Sequence, residues 1–272
     1  MPTLDEIRTH QAKSAAKAHV GTIRSAVELA EMDLPEIDWL VPSLIAPGLT
    51  TIAGRSDAGK SWLLLQLGLA VSAGGRFLGN LRCQKADVLY LALEDNLRRI
   101  KLRLLKLGMN LTHGLRIDTA NEVKPQNIEA ILDEMPTVKM VMIDTLGRYL
   151  ENEGIDWNKY AEVTPAAGAL HSIAKEREIA VIACTHTKKG AKAEEGTEGV
   201  SGSNALVSVS DTVLMLSRKV EQSDGKLYVT GRDVEERTID LEHTDDWLWY
   251  DINAPSETTI TEFNQYNKTP EF

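Results

Sequence analysis

Gly54-Arg55-Ser56-Asp57-Ala58-Gly59-Lys60-Ser61 has the spacing G-x-x-x-x-G-K-[ST], that of a phosphate-binding P-loop. Physical demands explain the spelling. Gly54 and Gly59 let the backbone curl until several N–H groups converge on an anion. Lys60 brings a point charge to the outer phosphates of a nucleotide, and the Ser61 hydroxyl suits Mg2+. Such a loop needs a strand before it and a helix after it. Leu49 to Ala53 is a β-type run, and Trp62 to Ser72 is an apolar helical run with Leu63, Leu64, Leu65, Leu67 and Leu69. The helix N-terminus is then aimed at the phosphates. Gly54, Arg55, Ser56, Asp57, Ala58, Gly59, Lys60, Ser61 and Trp62 are the expected nucleotide-binding residues. A chance glycine-rich turn is the competing explanation, and the matched strand and helix contexts argue against it.

Outward from this loop, apolar strands alternate with helices. Strands are expected at 86–92, 113–118, 138–143 and 179–184, and helices from about Leu97 to Lys106, from Gln126 to Glu134 and from Tyr160 to Lys175. Several strands lack polar alternation, which marks a parallel sheet covered on both faces. Short runs at 211–216, 226–230, 238–241 and 247–250 suggest a hairpin-linked antiparallel extension. Residues 3–31 read as a helix, broken near Gly21, with a capping-box spacing at Thr3 to Glu6. It either folds back on its own core or docks on a neighbouring subunit. The expected division is an N-terminal helical segment (1–35), an ATPase core (36–250) and a C-terminal tail (251–272).

The 272 residues carry a net charge of −10 and are 43% hydrophobic. That is enough apolar content for a core, and it argues against a surface that is basic all over. DNA held by a few local lysines remains open. Cys83 and Cys184 are far apart and form no metal pattern, so a reduced, cytoplasmic protein is expected. No apolar run reaches the ~18 residues of a membrane span.

Asp144 closes the apolar strand 138–143 and fits the acid that serves Mg2+ beside a P-loop. The residue after it is Thr145, so a base for hydrolysis must come from elsewhere. Glu94, at the end of the strand after the P-loop helix, is the candidate, since ligands lie at the carboxyl ends of parallel strands. Its alternative is a helix-start acid beside Asp95, the more natural cap. His186 also ends a strand and could contact the γ-phosphate, or be a structural histidine. The loop after it, 187–203, carries Lys188, Lys189 and Lys192, which suit nucleic-acid phosphates; three glutamates in the same loop suit plain solvation. Arg232, past an edge strand, suits a finger reaching a neighbour's site, or a surface ion pair with Asp233, Glu235 or Glu236. Leu97, Ile100 and Leu104 should bury one stripe of a helix whose Arg98, Arg99, Lys101, Arg103 and Lys106 face solvent. The tryptophans read as core or edge packing.

Taken together, the P-loop, Glu94, Asp144-Thr145, Thr185-His186 and Gly202-Ser203 before Ser210-Asp211 resemble a RecA/DnaB-type ATPase core. Trp39-Leu40-Val41-Pro42 and Val229-Thr230-Gly231-Arg232-Asp233-Val234-Glu235-Glu236 are similar to the RepA-like hexameric helicase group. The resemblance covers residues 36–250. It implies a RecA-like α/β fold and an ATP- and Mg2+-dependent helicase or translocase, acting on single-stranded DNA in replication as a homo-oligomeric ring. A filament-forming recombination or annealing ATPase is the alternative. It implies Glu94 as catalytic base, Asp144 and Ser61 at Mg2+, Lys60 on the phosphates, His186 as γ-phosphate sensor and Arg232 as the adjacent subunit's finger. DnaB-type enzymes pair that arginine with a lysine two residues earlier, where this chain has Thr230. Any priming or loading would belong to a separate primase or loader.

Overall fold

The computed structural model describes residues 23–119, 125–156, 159–187, 204–219 and 221–254. Residues 1–37 and 38–272 form two units. In the first, helix α1 (Ala26–Glu31) starts at Ser25, whose hydroxyl accepts from the Glu28 N–H while the Glu28 carboxylate accepts from the Ser25 N–H. The expected helix over 3–31 is therefore interrupted: residues 23–25 are not helical. The capping box expected at Thr3 lies outside the described residues.

The second unit is a nine-stranded sheet. Its strands in chain order include β1 (Gly48–Gly54), β4 (Asp87–Ala92), β5 (Leu115–Asp118), β6 (Val138–Asp144), β7 (Ala180–His186), β8 (Thr212–Arg218), β9 (Asp224–Gly231), β10 (Arg237–His243) and β11 (Trp249–Asp251). A separate two-stranded hairpin is made by β2 (Arg76–Phe77) and β3 (Leu81–Arg82). The sheet order is β11-β10-β9-β8-β1-β7-β6-β4-β5. Every pairing from β8 to β5 is parallel, and β9, β10 and β11 continue antiparallel. All seven residues of β1 are buried, as a strand at the middle of a two-faced sheet must be.

Helix α2 (Lys60–Ala73) covers one face with α3 (Leu97–Leu107), and α4 (Pro125–Glu134), α5 (Leu146–Asn152) and α6 (Tyr160–Arg177) belong with the core of the other. Residues Leu63 to Ser72 of α2 are all buried, so the apolar run is central rather than one-sided. The antiparallel extension is tied to this helix by Gln66, buried on α2. Its side-chain amide donates to the Trp249 carbonyl at 2.7 Å and accepts from the Trp249 N–H at 2.9 Å. That pair satisfies two backbone groups that a buried strand end would otherwise leave open. A short helix, α7 (Asn204–Val209), precedes β8.

Some local expectations are corrected. Leu97 is exposed, while Ile100 and Leu107 are buried and Leu104 packs beside them. Asn96, not Asp95, caps α3 by accepting from the Arg99 N–H at 2.9 Å. Asp95 instead holds Arg99 and Arg103. Trp247 lies in a turn at φ 65°, ahead of β11 rather than within a strand. Among the described residues no helix is long and apolar enough to cross a membrane.

Candidate active site

Register gathers the chemistry at one end of the sheet. Gly54 of β1 pairs with His186 of β7, and Ala92 of β4 pairs with Asp144 of β6. Glu94, two residues beyond Ala92, therefore shares an end with the P-loop, as the carboxyl edge of an open parallel sheet requires of a ligand site. A cavity of about 330 Å3 at this end is lined by Ser56, Lys60, Ser61, Glu94, Asp144 and His186, among others.

Each P-loop glycine has a steric reason. Gly59 sits at φ +98°, and a Cβ there would come within 3.0 Å of Trp249 Cζ2 and 3.1 Å of Trp247 Cζ3. A Cβ on Gly54 would stand 2.5 Å from the Leu216 carbonyl oxygen of β8. Lys60, which begins α2, is buried and donates to the carbonyls of Gly54 (2.8 Å) and Arg55 (2.7 Å). Its Nζ also lies 3.3 Å from His186 Nδ1. Burial pulls the Lys60 ammonium below its ordinary value, opposed by nearby negative groups including Asp144 and Glu94. His186 is lowered too, by burial first and then by Lys60, which favours the neutral ring. A neutral ring with an unprotonated Nδ1 accepts from Lys60 and from Ser56 Oγ, 3.4 Å away.

The two acids are each held by a hydroxyl. Tyr90, fully buried on β4, donates to Asp144 Oδ2 at 2.7 Å. Burial and then Asp144 push the Tyr90 phenol up, so it stays a donor. Cys184 is also raised, by burial first and then by Asp144, and remains a thiol. Thr145 Oγ1 donates to Glu94 Oε1 at 2.7 Å and accepts from the Arg148 N–H as the cap of α5. The residue that displaces a base from the position after Asp144 thus orients the base supplied by β4. Thr145→Val removes only this hydroxyl. It is expected to lower the rate of ATP turnover roughly 10-fold, in the range of a misplaced general base, with KM for ATP changed less than 3-fold, as steady-state phosphate release would show.

Ser61 and Asp144 line the same cavity, and a hydroxyl with a carboxylate of fixed orientation is a donor pair that suits Mg2+. The far wall of the cavity comes from residues with little sequence signal: Arg218 at the end of β8, Trp247, and Arg103 on α3. Arg218 donates to the Asp57 carbonyl at 2.6 Å and so clips the antiparallel extension to the P-loop. Trp62 belongs to this wall.

Arg232 lies elsewhere. Gly231 pairs with Thr212, the first residue of β8, so Arg232 follows at the edge of the sheet opposite the P-loop. Its Nη1 is 3.1 Å from Asp211 Oδ1, an acid outside the trio of sequence neighbours. Lys188, Lys189 and Lys192 fall outside the described residues.

The sequence profile of the AAA domain family matches residues 20–192. The chain belongs to this AAA domain family. The AAA domain here has a RecA/DnaB-type P-loop core: the fold matches a solved helicase ATPase domain with a TM-score of 0.59 and 14% identity, over 76% of this chain and 85% of that one. It matches the RadB recombinase with a TM-score of 0.56 and 17% identity, over 77% and 93%. The DNA repair protein RadA of Streptococcus pyogenes serotype M6 is 26% identical over 229 residues, 78% of this chain and 44% of RadA. The chain thus spans less than half the length of the curated relatives it matches.

Proposed function

We propose that this AAA domain hydrolyses ATP and that it works as a ring-forming helicase or translocase on single-stranded DNA, of the RepA-like kind. The observation that carries the reading is the division of the parts. Lys60, Glu94, Asp144 and His186 meet at one sheet end, while Arg232 stands at the other with an exposed guanidinium. Two copies stacked head to tail would bring one copy's arginine to the other's phosphates, a heterologous contact that closes into a ring when its rotation allows.

In this reading the triphosphate lies against the N-terminus of α2 and Lys60. Glu94, oriented by Thr145, takes a proton from water as the water oxygen bonds to the γ-phosphorus. The bond from that phosphorus to the β–γ bridging oxygen breaks, and ADP leaves with the electron pair. Mg2+, held by Ser61 and Asp144, would neutralise charge on the outer phosphates. Tyr90 keeps the Asp144 carboxylate in one orientation. His186 touches Lys60 and so feels the γ-phosphate come and go; the chain then runs directly into the lysine-bearing loop. Ile23, Val27, Leu29, Met32, Leu34 and Ile37 are exposed apolar residues on the N-terminal unit, which supports docking on a neighbouring subunit.

The test is ATP turnover by the purified protein with and without a single-stranded oligonucleotide. A several-fold rise is expected, and turnover indifferent to DNA contradicts the motor reading. The RadB fold and the RadA relative favour a second reading, a recombination ATPase that assembles filaments. Electron microscopy with DNA and a non-hydrolysable nucleotide separates the two: closed rings support the first, extended helical filaments the second.

A further inference from the structure

Among the tryptophans, Trp249 is fully buried and serves packing, but Trp62 and Trp247 are only half-buried and line the cavity that holds Lys60 and Asp144. Their rings are nearly parallel, 9° apart, with centroids 5.6 Å apart. Cations flank the pair: the Arg103 guanidinium stands 5.4 Å from the Trp62 centroid and that of Arg218 stands 4.9 Å from the Trp247 centroid. The arrangement is held in place. Trp247 adopts φ 65°, a conformation costly for a bulky residue unless its surroundings impose it. Its N–H donates to the Thr244 carbonyl at 2.9 Å, and His243 stacks on its ring at 4.4 Å. Trp62 is placed by chain position, two residues after Lys60 on the first turn of α2.

We infer that Trp62 and Trp247, with Arg103 and Arg218, form the subsite for the base of the bound nucleotide. The inference rests on the nucleotide-site reading above and adds what holds the end of the ligand remote from the phosphates. Stacking against aromatic and guanidinium faces suits any base with a broad π-surface. The base belongs to the nucleotide rather than to DNA because the same cavity contains the P-loop lysine.

Titration calorimetry of ADP and of inorganic tripolyphosphate separates base from phosphate. Trp247→Leu keeps bulk but removes the π-face; Trp247→Phe keeps a face. ADP affinity should fall roughly 5- to 150-fold in Trp247→Leu, the range for losing an aromatic platform. It should stay near wild type in Trp247→Phe, and tripolyphosphate affinity should hold in both. If ADP and tripolyphosphate weaken together, Trp247 merely shapes the P-loop and the inference is overturned. Unchanged ADP affinity in Trp247→Leu also overturns it, as does displacement of ADP by oligothymidylate in direct competition. A wild-type protein that binds neither ligand removes the nucleotide site itself, and the subsite with it. Should Trp247→Leu fail to fold, tryptophan fluorescence of the wild type decides: quenching by ADP beyond that by tripolyphosphate supports the subsite, and equal responses overturn it.

Discussion

Glu94→Gln is expected to bind ATP normally and to hydrolyse it about 10²–10⁴-fold more slowly, the usual contribution of a positioned general base. The substitution is close to isosteric. Thr145 Oγ1, which donates to Glu94 Oε1 at 2.7 Å, finds the same oxygen position in the glutamine amide. Lys60 and the P-loop amides are untouched, so the grip on the phosphates is retained. What disappears is the capacity to take a proton from water. Nucleotide binding by calorimetry and phosphate release under steady state measure the two effects separately. Turnover that survives the substitution would remove Glu94 from the mechanism and would leave the Thr145 contact a purely structural one.

Arg232→Ala is expected to cost about 10³–10⁵ in turnover, the range found for arginine fingers, while changing stability by less than about 1 kcal/mol. The second half follows from the local geometry. Arg232 pairs with Asp211 at 3.1 Å, but its side chain is 61% exposed, and ion pairs of this kind contribute little. Asp211 keeps other partners: it accepts from the Leu49 N–H at 2.9 Å and lies beside His171. The first half follows from topology. Arg232 cannot reach its own P-loop from the far edge of the sheet, so any effect on turnover must pass through a neighbour. Thermal unfolding and phosphate release on the same sample check both parts. A large loss of stability with turnover intact would make Arg232 a structural ion pair only.

The parts of this site that are legible in the sequence are those written contiguously. The P-loop spells its own geometry, and an acid closing an apolar strand points to Asp144. Glu94 follows from one topological rule, that ligands lie at strand carboxyl ends. The rest depends on which strands are neighbours. Tyr90 reads as an ordinary core aromatic until β4 is known to lie beside β6, and then its hydroxyl meets Asp144. Arg218 and Trp247 reach the P-loop only because β8 pairs with β1 and the antiparallel strands follow on from it, an order that no motif encodes. Thr145 reads in the sequence only as the absence of a base, and its hydroxyl's role needs coordinates. Helices α1, α5 and α7 span six or seven residues, too few for a period of 3.6 to declare itself. Leu97 has the spacing of the buried stripe of α3, yet it is the first residue of that helix. Helical side chains lean toward the N-terminus, so this one projects past the packed part.

The central claim is that each site is shared: the P-loop and Glu94 come from one subunit and Arg232 from the next. Mixing tests it most directly. Glu94→Gln and Arg232→Ala proteins, each inactive alone, are combined in equal amounts and phosphate release is measured. In randomly mixed head-to-tail assemblies about a quarter of the interfaces would join an intact Glu94 to an intact Arg232. Turnover recovering toward that fraction of the wild-type rate is the predicted result. A mixture as inactive as its components, with both variants folded, binding ATP and co-assembled, would contradict the shared site.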